Sequence, residues 1–183
     1  MNRPAFEEVQ RLRDNRWIWV MVAVFSTAAF VPLLYGSYWQ LIKGEPWGNE
    51  PLSNQGFILF FLFILLAFGI MLFILLSSRL ELKIEGDGIH WKFYPIRKKW
   101  QLISKDEIQI YSLEKKFKFF APGGLGYHHD RFRKLRSMRI SGGSHLSLKL
   151  RNGERYLFGT QDLAGMEWAM KKLMNKTDRP DNG

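Results

Sequence analysis

The sequence predicts a membrane α-helical hairpin joined to an α+β domain of about seven antiparallel strands and one C-terminal helix. Three observations predict it. Two long uncharged apolar runs lie before Ser77. After Leu80 the spacing of apolar residues switches from helical to alternating. After Thr160 it returns to helical and ends among lysines.

The apolar runs come first in the argument. Residues 17–35 are nineteen in number without a charge, and residues 56–76 are twenty-one. A helix rises ~1.5 Å per residue, so each run reaches about 30 Å, the thickness of a hydrocarbon core. The second run is apolar on every side and has no face to offer water. The first contains Ser26, Thr27 and Pro32, and Pro32 is expected to bend its helix. Trp17, Trp19, Tyr35, Tyr38, Trp39 and Trp47 stand at or beyond the ends of the first run, where amphipathic rings suit headgroups; packing within the loop is the plainer reading of Trp47. We expect a first span over 17–42, an external loop over 43–55 and a second span over 56–78. A signal peptide is the competing reading of the first run, but nineteen residues is long for one.

Charge sets the orientation. The chain has 27 Lys and Arg against 17 Asp and Glu, a net charge of +10. Arg3, Arg11, Arg13 and Arg16 precede the first run, while Arg79, Lys83, Lys92, Arg97, Lys98 and Lys99 follow the second. The loop between holds only Lys43. Cations are retained on the cytoplasmic side, so both termini are expected there, in a plasma (inner) membrane crossed twice. There are no cysteines, which excludes disulfides, thiolate metal sites and cysteine nucleophiles. Residues 1–16 are expected to form a cytoplasmic juxtamembrane helix, because Phe6, Val9, Leu12 and Arg13 recur at spacings of three and four.

The domain over 79–176 follows. Leu80, Leu82 and Ile84 alternate with Glu81, Lys83 and Glu85, then Gly86-Asp87-Gly88 turns the chain. Further strands are expected at 89–94, 100–103, 108–113, 137–140, 146–150 and 155–158, with a long glycine-containing segment over 114–135. Asn152-Gly153 supplies a tight hairpin turn. Thr160 is expected to cap the last helix, whose Leu163, Met166, Met170, Leu173 and Met174 share a face. Residues 177–183 are expected to be a disordered tail.

The stretches GDGIHWKFYPI (86–96), KDEIQIY (105–111), GGLGYHH (123–129) and LSLKLRNGERYLFGTQDLAGMEWAM (146–170) resemble a pleckstrin-homology-like (PH-like) domain. The whole layout is similar to small uncharacterised bacterial membrane proteins with a two-helix hairpin and a C-terminal domain of that kind. The resemblance implies a partly open barrel closed by the C-terminal helix, and binding of lipids, peptides or proteins. The first hairpin turn, Glu85-Gly86-Asp87-Gly88, is acidic, which departs from the basic turn that holds inositol phosphates in such domains.

Candidate chemistry is sparse. His128-His129-Asp130 suggests a metal, but adjacent residues on a strand face opposite ways; His90 and His145 would have to join through tertiary proximity. Gly123-Gly124-Leu125-Gly126 lacks the residues of a phosphate-binding loop. No catalytic, cofactor-binding or metal residue is expected, nor a nucleic-acid partner. Arg97, Lys98 and Lys99, and Arg131, Arg133 and Lys134, are the expected contacts to anionic lipid headgroups. The expected function is a non-enzymatic, membrane-anchored interaction module that binds a protein partner at an anionic membrane surface. The alternative is an accessory subunit of a membrane transporter or envelope enzyme complex.

Overall fold

The computed structural model describes residues 4–115, 126–140 and 143–175. The expected tail at 177–183 and the glycines at 123 and 124 lie outside the described residues. The chain forms two compact units, one of residues 1–12 and 77–183, the other of residues 13–76.

The second of these is helical. α1 runs from Arg16 to Ser37 and continues as a wider π turn over Tyr38–Lys43. α2 runs from Asn54 to Ser77. Both helices are long and apolar enough to span a membrane. The side chain of Asn15 caps α1 by accepting from the Trp17 amide at 3.1 Å, as a residue with a short polar side chain does at this position. Pro32 lies within α1. Phe30 and Phe68 meet edge to face at 5.1 Å between ring centroids. At the loop end, Gln40 Nε2 donates to the Leu52 carbonyl at 2.6 Å. Trp47 covers Gly36 so closely that a Cβ there would lie 2.7 Å from the indole. This tryptophan thus packs from the loop onto both helices, against Gly36 of α1 and Phe57 of α2.

The other unit is α+β. Nine strands are formed among the described residues: β1 Phe6–Arg11, β2 Arg79–Glu85, β3 Gly88–Tyr94, β4 Arg97–Ser104, β5 Ile108–Glu114, β6 Gly126–Asp130, β7 Leu135–Arg139, β8 Ser144–Leu150 and β9 Arg155–Thr160. They make a four-stranded sheet, β1-β2-β3-β4, and a five-stranded sheet, β5-β8-β9-β7-β6. The pairings are antiparallel except that β7 runs parallel to β9. There are thus more strands than the seven expected, in two sheets with no closed barrel.

The core lies between the sheets. Leu80, Leu82 and Ile84 from β2, Trp91 and Phe93 from β3, and Leu146, Leu148 and Phe158 from β8 and β9 are all but inaccessible. Trp91 meets Phe158 and Tyr156 at about 6 Å across the sheets. α3, over Leu163–Asn175, buries Met166, Ala169, Met170 and Leu173 in this core. Its cap is Asp162, not the expected Thr160. Asp162 Oδ1 accepts from the Gly165 amide at 2.9 Å, while Thr160 Oγ1 accepts from the Asp162 amide and donates to Glu8.

The main correction concerns residues 1–16. The expected juxtamembrane helix is instead strand β1, paired with β2 from Phe6↔Ile84 to Arg11↔Arg79. The alternation was hidden because two of its inward positions are polar. Glu8 accepts from Thr160 Oγ1 and the Gln161 amide, both at 2.7 Å. Gln10 is buried and donates to the Gly159 carbonyl at 2.6 Å. Non-local pairing here outweighs a local helical spacing. β6 is the second strand missed, inside the segment read as a long loop.

Candidate functional site

Two basic strand ends emerge from this frame. The first gathers where β1, β2, β3 and β4 meet. Arg11 pairs with Arg79, and Arg79 pairs in turn with Tyr94. Tyr94 opens the turn into β4, where Arg97 pairs with Phe93 and Arg97, Lys98 and Lys99 are all exposed. The guanidinium of Arg79 and the ammonium of Lys98 both stand over the Tyr94 ring, at 5.4 Å and 5.6 Å. Ile96 is exposed at the tip of the turn. The arrangement offers cations around a small apolar tip, a pattern suited to a headgroup layer. This is the strand end at which β1 leads on to α1 and α2 leads into β2.

Arg131, Arg133 and Lys134 are not brought to that end. They form the turn between β6 and β7, where Lys134 takes a left-handed backbone conformation at φ 47°. Leu135 pairs with Arg155, so the turn adjoins the β8–β9 turn. The Arg151 amide there donates to the Glu107 carbonyl, and the Lys105 amide donates to the Asp87 carbonyl in the β2–β3 turn. The second triad therefore belongs with the Glu85 end of β2, the first with its Arg79 end.

Arg131 and Lys134 of the second triad, though not Arg133, line a cleft of about 300 Å³ together with His129, Arg136, Asn152 and Glu154. Arg136 lies over the Tyr156 ring at 5.4 Å and its Nη2 donates to Glu154 Oε1 at 3.5 Å. Its Nε is enclosed and has no protein acceptor. The Tyr156 hydroxyl donates to Glu154 Oε2 at 3.0 Å. Burial first, with the nearby Glu154 carboxylate, pushes this phenol up to about 12, so it remains protonated. Asp130 Oδ1 accepts from the Arg133 amide at 3.0 Å and fixes the turn. Phe132, between Arg131 and Arg133, is fully exposed at 102 %.

The histidines do not assemble. His128 and His129 are neighbours on β6, and His145 stands 3.6 Å from Glu114. His90 lies 3.0 Å from Asp87, whose carboxyl is held below its ordinary value mainly by that hydrogen bond. Ligand atoms of Glu85, Asp87 and His90 lie within 4.8 Å of one another, a grouping the His90–Asp87 pair itself explains. Asn152, Glu154 and Arg136 as members of one cleft were not legible in sequence, because two strands and two separate turns bring the cleft together.

Fold and surface together define an α+β domain accompanied by two apolar helices of membrane-spanning length. No known protein family, curated protein or solved structure matches the chain.

Proposed function

We propose that the chain is a membrane-anchored, PH-like, non-enzymatic interaction module that binds a protein partner at the cytoplasmic surface of an anionic plasma (inner) membrane. The observation that carries this reading is the β1–β2 ladder. It joins the residues before the first apolar helix to those after the second, over six positions from Phe6↔Ile84 to Arg11↔Arg79. A backbone ladder is not made across a bilayer. If both helices span, both flanks lie on one side, and their arginines and lysines favour the cytoplasmic side. Arg97, Lys98 and Lys99 then stand on the strand end that continues into the helices.

For the partner, the support is a pair of sheet margins. β4 and β5 are the end strands of their sheets, and Trp100, Leu102 and Ile110 on them are exposed. An end strand with apolar side chains is a common seat for another chain. The reading is tested in cells. A reporter fused after Gly183 should be active only in the cytoplasm, and the chain should resist alkaline carbonate. A photo-crosslinking residue at Leu102 or Ile110 should give one discrete adduct. An external reporter overturns the topology; a chain that gives no adduct and purifies alone from mild detergent overturns the partner.

The accessory-subunit reading has one observation in its favour. Leu62, Leu65, Leu66, Gly69, Ile70 and Phe73 line an apolar groove along α2. A Cβ at Gly69 would meet nothing within 4 Å, so Gly69→Leu is tolerated by the chain itself. Loss of a copurifying membrane complex in that variant, with the Leu102 adduct retained, selects this second reading.

A further inference from the structure

We infer that the cleft between the β6–β7 and β8–β9 turns binds a phosphoryl group, and that its ligand class is a phosphate monoester. This gives Arg131 and Lys134, two of the expected headgroup contacts, a built site; Arg133 does not line it. It depends on the membrane-anchored reading only for one possible source of the phosphate.

Four observations converge. Arg131, Lys134 and Arg136 bring three cations against the single carboxylate of Glu154, with His129 beside them. Such an excess favours a ligand of more than one negative charge. The Arg136 guanidinium is held against the Tyr156 ring, and its enclosed Nε lacks a protein acceptor. An enclosed donor without an acceptor is costly, and a ligand oxygen would relieve it once the guanidinium turns towards the cleft that Arg136 lines. Lys134 is the only residue other than glycine with positive φ among the described residues. A left-handed conformation at a lysine is strained, and such strain clusters at ligand clamps. Finally, about 300 Å³ admits a phosphate with part of the group it is attached to.

The group can come from a soluble phosphomonoester or from the headgroup of a lipid such as phosphatidic acid. Phe132 distinguishes the sources. Fully exposed between two arginines, it has no part in the cleft lining and would enter the acyl boundary only when the phosphate belongs to a lipid.

The experiment uses the full chain in zwitterionic nanodiscs. One arm titrates glycerol 3-phosphate by calorimetry. The other floats the nanodiscs with phosphatidylcholine vesicles containing phosphatidic acid, with phosphatidylglycerol, a diester, as control. The expected result is saturable binding in at least one arm. Arg136→Gln and Lys134→Gly should each weaken it about tenfold or more. Lys134→Gly relieves the left-handed backbone, so its melting temperature should not fall and lost binding cannot be put down to misfolding. Glu154→Gln keeps the shape, removes the opposing charge and should tighten binding about threefold or more. Phe132→Ala should weaken the vesicle arm alone. Binding in neither arm overturns the inference, as does binding that survives both cation substitutions. Loss of the site would leave carbonate resistance and the Gly183 reporter unchanged, so failure here and failure of the membrane reading can be told apart.

Discussion

Arg11 and Arg79 face each other as the last pair of the β1–β2 ladder. Four pairs earlier the same ladder holds an attractive couple. Glu7 is paired with Lys83, their side chains 2.9 Å apart, and this hydrogen bond holds the Lys83 ammonium above its ordinary value. Like charges directly opposite are unfavourable by a few tenths of a kcal/mol or more. Glu81 meets Arg79 at 3.0 Å and offsets part of that cost. An anionic surface would offset the rest. Arg11→Glu should therefore stabilise the chain by about 0.5 kcal/mol in zwitterionic nanodiscs. In anionic nanodiscs the gain should shrink or reverse, as paired thermal melts would show. An equal gain in both lipids would separate this pair from the membrane.

The first triad makes a second prediction. The chain has no cysteine, so Ile96→Cys gives one clean labelling site at the exposed turn tip. A fluorophore there should be quenched by spin-labelled headgroups in anionic nanodiscs. Near 1 M salt the Debye length falls to about 3 Å and quenching should fade. Replacing Arg97, Lys98 and Lys99 by Glu should remove it at low salt as well. Salt-independent quenching would show that chain connectivity alone places the tip.

Glu8 tests whether β1 belongs to the domain. Its carboxylate accepts from Thr160, from the Gln161 amide and from Gln10. Hydrogen bonds to a charged group contribute about 1.5–3 kcal/mol. Glu8→Ala should destabilise by about 2 kcal/mol in chemical denaturation, and Glu8→Gln by roughly half as much. A change under about 0.5 kcal/mol would mean β1 is not docked.

These strands show what the sequence could and could not tell. β2 and β3 were legible because Leu80, Leu82, Ile84, Trp91 and Phe93 alternate without interruption, and β8 and β9 because Asn152-Gly153 marks their turn. β1 was not, since Glu8 and Gln10 point inward and find partners about 150 residues away. The cations of both triads were visible as residues. Their division between the Arg79 and Glu85 ends of β2 was not, because it depends on register between strands far apart in the chain. Arg139 is buried beside Ser137, which an arginine in a basic stretch of sequence does not signal.

Gly88 is a backbone requirement at the β2–β3 turn. It sits at φ 157°, and a Cβ there would collide with the Ile103 carbonyl oxygen on β4. Backbone cannot swing aside as a side chain does. Gly88→Ala should cost about 2 kcal/mol or more in chemical denaturation, with the β3–β4 register disturbed. An unchanged midpoint would show that β4 does not approach so closely.

His145 makes stability depend on pH. Burial, its largest influence, lowers its pKa from the ordinary 6.5, although Glu114 pulls the other way. The folded state therefore prefers the neutral ring, and the unfolded chain takes up the proton first. Stability should be full above about pH 6.5 and decline as pH falls below it, towards the depressed folded value. His145→Gln should flatten this slope in melts taken between about pH 7 and pH 5. A slope unchanged by the substitution would assign it to other groups.

The sheet begins before the first apolar helix and resumes after the second, so this domain is not a bead hung on the end of an anchor. Its first strand is made before the apolar helices and must wait for residues 12–78 before its neighbour exists. If the hairpin is seated in a membrane as proposed, that long loop is closed first, and the ordering entropy of joining distant segments is spent in advance. A hairpin inserted with only one helix across would strand the two partners on opposite sides and leave β2 with a bare margin. On the proposed membrane-anchored reading, completion of the domain would act as a built-in check that the apolar segment was threaded correctly.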